Sequence, residues 1–316
     1  MPLTLLALLF ARRIGGSDAG PHSDRTTGIP FCGPVGMWLL TAALTLALTS
    51  ATPLSAAAQE NPSSWGNSEA FERPELPDAD SYRTGSGRPG PAYWQQRADY
   101  EIDVRLDTTS HRIEGAETIT YTNNSPDSLD YLWVQLDQNL FDPDSRGALA
   151  NPPDARWRGA FEEGGVTIEQ VEFVDPSGRR LDPSYLITDT RMRVALEEPV
   201  PPGGSTVELD IAWSFTIPEY GADRMGRYDS RAGWVYQLAQ WYPRMFVYDD
   251  VNGWNPQPYL GQGEFYTEFG DFQVDVTVPR DLIVVATGQL QNPRDVLTQR
   301  QRARLEKART SAETVT

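Results

Sequence analysis

Cysteine, histidine and lysine are almost absent from this chain. Its 316 residues hold one Cys, Cys32, two His, His22 and His111, and one Lys, Lys307, set against 26 Arg. Cys32 and His22 precede an apolar run that begins at Trp38, so the residues after that run keep one imidazole and no thiol. A zinc centre built from imidazoles and thiolates is therefore excluded, as is a disulfide framework. No HExxH occurs, and a Ser-His-Asp triad would have to use His111, which falls in a predicted exposed hairpin turn. No GxGxxG opens a helix and no Walker A sequence is present. The EF-hand spacing is missing too, although Asp142, Asp144 and nearby backbone leave a calcium reading open. No repeat of solenoid length is found. The lone lysine reads as coding bias, not chemistry.

The formal charge is −17. Residues 1–58 hold three Arg and two Asp, so taking these from the totals of 27 and 44 leaves 24 basic and 42 acidic residues. Such a surface repels nucleic acid, and no nucleic-acid partner is expected. Carboxylates are plentiful enough that a two-carboxylate glycosidase is not excluded by inventory. The sets nearest aromatic residues are Asp249 with Asp250, and Glu264 with Glu268 and Asp271. Adjacent acids in an acidic chain are ordinarily turn or surface residues.

Residues 38–50 (WLLTAALTLALTS) form a weakly apolar run followed by Ser55-Ala56-Ala57-Ala58-Gln59. Small residues at 56 and 58 fit an export signal cleaved after Ala58. The run is shorter than the roughly 20 residues needed to span a bilayer, so no stable membrane insertion is expected after cleavage. Residues 1–58 are thus assigned to a leader, which contains a second short apolar run at 3–10, and translation is expected to begin nearer Met37. The protein is expected to be exported, to the periplasm or the extracellular space. Residues 59–91, rich in Ser, Pro, Gly and acids, read as a disordered linker, with order beginning near Tyr93 and Trp94.

From there period-two alternation recurs. Residues 100–106 and 116–121 predict a hairpin around a turn at 108–112, and residues 129–136 another strand. A long loop is expected over 141–165. Further hairpins are expected from 166–174 with 179–181, from 192–196 with 206–215 across Pro201-Pro202-Gly203-Gly204, and from 272–278 with 282–287 across Pro279-Arg280-Asp281. The fold class is all-β: an antiparallel, saddle-like β-sandwich over 92–292, followed by a short helical segment over 293–316 with Pro293 at a helix start. That segment carries six basic residues between Arg294 and Arg309 and reads as a solvated face.

Residues 234–245 read WVYQLAQWYPRM, and 246–279 read FVYDDVNGWNPQPYLGQGEFYTEFGDFQVDVTVP, with VVATGQLQNP at 284–293. This stretch resembles the N-terminal domain of bacterial M1-family zinc metallopeptidases. The resemblance covers roughly 93–316 and is densest over 241–279. It implies a saddle-like β-domain, followed in such enzymes by a catalytic domain in which HExxH and a downstream Glu hold zinc. Those motifs, and the GxMEN motif of the exopeptidases, are absent here, so no cofactor is expected in this chain and zinc is expected in the full-length enzyme. The resemblance also implies a peptide substrate, bound together with that catalytic domain. It implies an amide or carboxylate from this domain beside the substrate's amino terminus. Gln240, ahead of Arg244 and Asp249, matches that position, with Gln237 as the second choice; the spacing to Arg244 departs from the family pattern for either residue.

The aromatic set Trp241, Tyr242, Tyr248, Trp254, Tyr259, Phe265 and Tyr266 reads as packing or as a stacking platform. Two functions follow. One is the scaffold and substrate-wall domain of an M1-like aminopeptidase, inactive alone. The other is a secreted, non-catalytic β-sandwich that binds carbohydrate or peptide.

Overall fold

The computed structural model describes residues 8–12, 78–150, 164–175, 177–219, 224–262 and 265–315, the first of these by its backbone. By contacts the chain divides into a unit of Met1–Ile14 with Asp80–Thr316 and a unit of Gly15–Ala79. The export signal and most of the linker lie outside the described residues. The stretch from Asp80 is tied to the domain earlier than Tyr93. Asp80 caps a turn through the Tyr82 and Arg83 amides at 2.7 Å, and Arg83 forms a two-point ion pair with Asp250 at 2.6 and 2.7 Å.

In chain order the strands are β1 (Leu8–Arg12), β2 (Arg97–Asp107), β3 (Arg112–Asn123), β4 (Leu129–Gln135), β5 (Thr167–Val174), β6 (Arg180–Leu181), β7 (Tyr185–Thr188) and β8 (Arg191–Val200). There follow β9 (Ser205–Thr216), β10 (Gly226–Ser230), β11 (Gly233–Leu238), β12 (Arg244–Met245), β13 (Tyr248–Asp249), β14 (Gly253–Trp254), β15 (Phe272–Thr277) and β16 (Leu282–Ala286). A 3-10 turn occupies Asp137–Phe141, and the helices are α1 (Arg146–Ala150), α2 (Pro293–Val296) and α3 (Gln299–Thr310). The structure is mostly β, as the alternation predicts. The expected loop after Phe141 is interrupted by α1.

A six-stranded sheet runs β15-β2-β3-β9-β5-β6, a four-stranded sheet runs β12-β4-β8-β7, and another runs β10-β11-β1-β16. The long hairpin β2–β3 forms as expected, pairing Arg97 with Thr122 through Asp107 with Arg112. Alternation along it sends Tyr100, Ile102, Val104, Ile113, Ile119 and Tyr121 inward. From β9 come Leu209, Ile211, Trp213 and Phe215, and the β4–β8 pair brings Leu132, Val134, Met192 and Val194 to the core. A fully buried Trp such as Trp213 removes on the order of 200 Å² from water, an upper contribution of about 5 kcal/mol.

Two expected hairpins are not hairpins. β8 pairs with β4 and β7, whereas β9 pairs with β3 and β5, so residues 201–204 carry the chain from one sheet to another. Buried Asn123 anchors this crossing: its Nδ2 donates to the carbonyls of Val200 (3.2 Å) and Pro201 (3.0 Å), and its own carbonyl accepts from the Gly204 amide at 2.7 Å. Likewise β15 lies parallel to β2, and β16 pairs with β1, not with β15. The first of these is the one parallel ladder between described strands, a departure from the all-antiparallel expectation. Alternation reports which face a side chain takes and carries no information on the partner strand. The hairpins β10–β11, β13–β14 and β7–β8 were not foreseen.

The C-terminal segment is helical as expected, in two pieces. Pro293 starts α2, and Thr298 restarts the helix with a reciprocal cap: its hydroxyl accepts from the Gln301 amide and the Gln301 side chain accepts from the Thr298 amide.

Candidate functional site

The segment 240–244, QWYPR, leaves β11 and enters β12, bridging two sheets. Two consecutive residues of the 3-10 turn hold its ends. Gln138 Nε2 donates to the Gln240 carbonyl at 2.8 Å, and Asp137 forms an ion pair with Arg244 in which both side chains are almost wholly enclosed. Gln135 Nε2 completes the second contact, donating to Asp137 at 2.5 Å. The Arg244 guanidinium lies 4.2 Å over the Phe265 ring. Burial pushes the Asp137 carboxyl up, and Arg244 and Gln135 pull it back. Between the clamped ends, Trp241 packs on Trp213 at 5.9 Å and Tyr242 edges onto Tyr100 at 5.6 Å.

Gln240 is bent into the left-handed region, at φ 48°, and is 6% exposed. This conformation costs a non-glycine residue about 1 kcal/mol or more, and here the Gln138 bond and the Trp241 anchor hold it. Its side-chain Nε2 finds no hydrogen-bond partner among the described residues, nor does Arg244 Nε. Gln237 is different. It is exposed on β11 and donates to the Arg224 carbonyl at 3.2 Å. The two residues taken together from sequence therefore occupy unlike environments, with Gln240 buried and Gln237 on the surface.

His111 is not exposed as expected. It takes a left-handed turn position, φ 55°, half-buried against Trp234, with Nδ1 2.7 Å from the Tyr236 hydroxyl. Burial first, then Arg227, lowers its pKa, which favours the neutral ring.

Of the acidic sets, Asp249 and Glu268 come together and Asp271 does not. Asp271 joins Arg97 instead, at 2.7 Å; Glu264 lies outside the described residues. Glu268 Oε1 accepts from the Tyr248 amide at 3.1 Å, and its pKa rises to about 7, chiefly by burial, with that bond lowering it and Asp249 raising it. Asp249 is engaged by Asn255 and by the Tyr266 hydroxyl, each at 3.1 Å. Asp142 serves a turn, accepting from the Asp144 amide at 2.8 Å. Among the described residues no three His, Cys, Asp or Glu side chains are grouped to hold a metal ion. The aromatic set is mostly packing: Trp241 and Tyr259 are buried, Trp254 stacks on Tyr121 at 6.1 Å, and Tyr266 alone is largely exposed.

Glu117 was not singled out from sequence. It sits mid-sheet on β3, opposite Ile102 of β2 and Ile211 of β9, 4% exposed, with neither carboxylate oxygen hydrogen-bonded. Burial drives its pKa well up. The alternation Glu117, Ile119, Tyr121 already placed it on the inner face. Asp137 and Gln138 gave a weaker signal, a polar pair directly after an apolar strand.

No protein-family model matches the chain, and no curated protein matches it. Among solved structures it is similar to an M1 zinc metallopeptidase from Deinococcus radiodurans, at 16% identity and a TM-score of 0.30, over 59% of this chain and 32% of that one. A point mutant of that enzyme bound to a Tyr-Ser-Ala substrate matches at 15% identity and a TM-score of 0.31, over 61% and 35%. The chain thus spans about a third of the length of these structures. No helix among the described residues is long and apolar enough to cross a membrane.

Proposed function

We propose that this chain is the N-terminal scaffold and substrate-wall domain of an exported M1-like zinc metallopeptidase of the aminopeptidase class, and that Gln240 faces the substrate's amino terminus. The observation that carries the reading is the construction of the QWYPR segment. A glutamine is held in a strained backbone conformation, its backbone carbonyl taken by Gln138 and the far end of the segment fixed by the Asp137–Arg244 pair. Such clamping fixes the backbone from which the Gln240 side chain projects, as substrate positioning requires. The amide oxygen of Gln240 accepts one hydrogen bond from a substrate ammonium, and carboxylates of a second domain take the others. The motifs over 234–293 support the same reading.

The residues of this chain do not fit a zinc site. After residue 58 it has His111 as its one imidazole and no thiol, and His111 is committed to Tyr236. No catalytic step is assigned to this chain, and its purified form is expected to hold no stoichiometric zinc and to leave aminoacyl chromogenic substrates intact. The deciding experiment reads the coding DNA beyond Thr316 in all frames for HExxH followed by a Glu ligand, and expresses the joined protein. Gln240→Ala is expected to raise KM for peptides with a free amino terminus by about tenfold, the worth of one hydrogen bond to a charged group, with zinc content unchanged. A Gln240→Ala enzyme with wild-type KM sinks the assignment of Gln240. Stoichiometric zinc and turnover in the isolated chain sink the reading of this domain as non-catalytic.

A further inference from the structure

The sheet order β10-β11-β1-β16 places a strand from the N-terminal end of the chain between two strands that lie far along it. β1 is antiparallel to both. Leu8 is registered with Leu238 on one side and Ala286 on the other, and Ala11 with Val235 and Ile283. β11 and β16 therefore run in the same direction, a strand's width apart, and residues 235–238 stand level with 283–286. β11 has a second partner in β10, but β16 has no other ladder among the described strands. Its hairpin-like neighbour β15 is committed to β2 in the six-stranded sheet. Without β1, β16 presents two unpaired edges and β11 one; β16 is wholly aliphatic, LIVVA, and β11 carries Trp234, Val235, Tyr236 and Leu238. Unpaired apolar edges recruit a further strand.

We infer that the space between β11 and β16 is a strand-binding slot for an extended apolar segment running antiparallel to both, that Leu8–Arg12 is its occupant in cis, and that cutting the N-terminal segment from the domain releases this occupant. The slot is specific in direction and spacing, because both walls demand the same antiparallel register. It is specific in composition, because the occupant is a central strand of a sheet and so excludes proline and disfavours charge. The sequence LLFAR holds no proline, and its one charge, Arg12, is at its end. The two parts of its unit are joined through the 65 residues Gly15–Ala79, so the link is covalent but distant, and a cut anywhere within it turns an intramolecular strand into a bimolecular one. That conversion removes an effective concentration of about a millimolar or more. N-terminal processing and the pairing of β16 are thereby coupled. This inference does not depend on the peptidase reading; it takes a chain translated from Met1, not from near Met37.

The test follows amide hydrogen exchange in the full chain. Phe10→Pro removes a ladder donor and distorts the middle of β1. It is expected to speed exchange over β16 and the β1-facing amides of β11 by at least about tenfold, while β2, β3 and β9 keep their protection. A synthetic peptide of residues 5–15 at about millimolar concentration is expected to restore protection, and the same peptide with proline at position 10 is not. Unchanged exchange over β16 in the Phe10→Pro chain overturns the inference. If that variant unfolds throughout, a second measurement decides: a protease site is inserted after Ala58 in the wild-type chain, the folded protein is cut, and the N-terminal fragment is followed by gel filtration. Departure of the fragment with selective loss of β16 protection, reversed by the 5–15 peptide, supports the slot. Departure without any change in β16, a fragment that never exchanges with added labelled peptide, or self-association that protects β16 in place of the peptide, overturns it.

Discussion

Replacing Glu117 by Gln is expected to stabilise the domain, and by an amount that grows with pH. Glu117 lies in the middle of the inner face of the largest sheet, between Ile102 and Ile211, and its two oxygens make no hydrogen bond. Tyr100 from β2 and Tyr242 from the QWYPR segment are the titratable groups that feel its charge, and neither is cationic. Burial therefore holds the carboxyl in its protonated form and raises its pKa well above 4.5. A raised folded-state pKa means the folded state keeps a proton that the unfolded state gives up. The favourable proton linkage is complete below the unfolded value near 4.5 and is lost as pH climbs toward the folded value. The loss is about 1.4 kcal/mol per pH unit. Between pH 5 and pH 7 the gap between Glu117→Gln and wild type is expected to widen steadily, because Gln carries no proton to lose. The comparison cancels Glu268 and Asp137, which are present in both proteins. Glu117→Leu also removes an unpaired buried polar group and is expected to add a further 1–3 kcal/mol or so at every pH. Urea unfolding of the three proteins at pH 5, 6 and 7, with equal m-values, measures these gaps. A gap between wild type and Glu117→Gln that stays constant across this range refutes the reasoning, since it means that Glu117 is ionised in the folded domain and its charge is compensated.

Other predictions follow from the same structure. Asp137→Asn strands the Arg244 charge in the core and is expected to cost about 3–5 kcal/mol in urea unfolding, while Asp137→Leu combined with Arg244→Met recovers most of that loss. Glu268 has its pKa raised to about 7, so its contribution to stability is full below 4.5 and is lost as pH rises through 7; near-ultraviolet circular dichroism from Tyr248 and Trp94, stacked at 5.7 Å, is expected to titrate near pH 7 in wild type and to stay flat in Glu268→Gln. Gly115→Ala drives a methyl group into the Trp213 ring and is expected to destabilise by about 1–3 kcal/mol, with a change in Trp fluorescence as the indole is displaced.

Much of the candidate site was legible in part. Gln240 was singled out through the motif that contains it, and the structure gives it a buried setting, with its backbone clamped, that motif spacing does not describe. The clamp itself was not visible, because Asp137 and Gln138 are over a hundred residues before the groups they hold, and nothing in a polar pair after a strand says what it will meet. Glu117 was readable from phase alone: an acid in step with Ile119 and Tyr121 must face inward if they do. Its lack of a partner was not readable, since that depends on which side chains the opposite layer brings.

The sequence by itself determined the class of structure and its local grain. Alternation set the strands and their inner faces, Pro293 and Thr298 set the helix starts, and after residue 58 His111 is left as the one imidazole, with no thiol. Tertiary structure decided the pairing. Residues 201–204 and 279–281 look like hairpin turns and instead pass the chain between sheets, because a strand's alternation is satisfied by any neighbour that buries the same face. Whether a turn closes a hairpin or turns a corner is settled by which arrangement buries both faces at once, and that is a property of the whole domain.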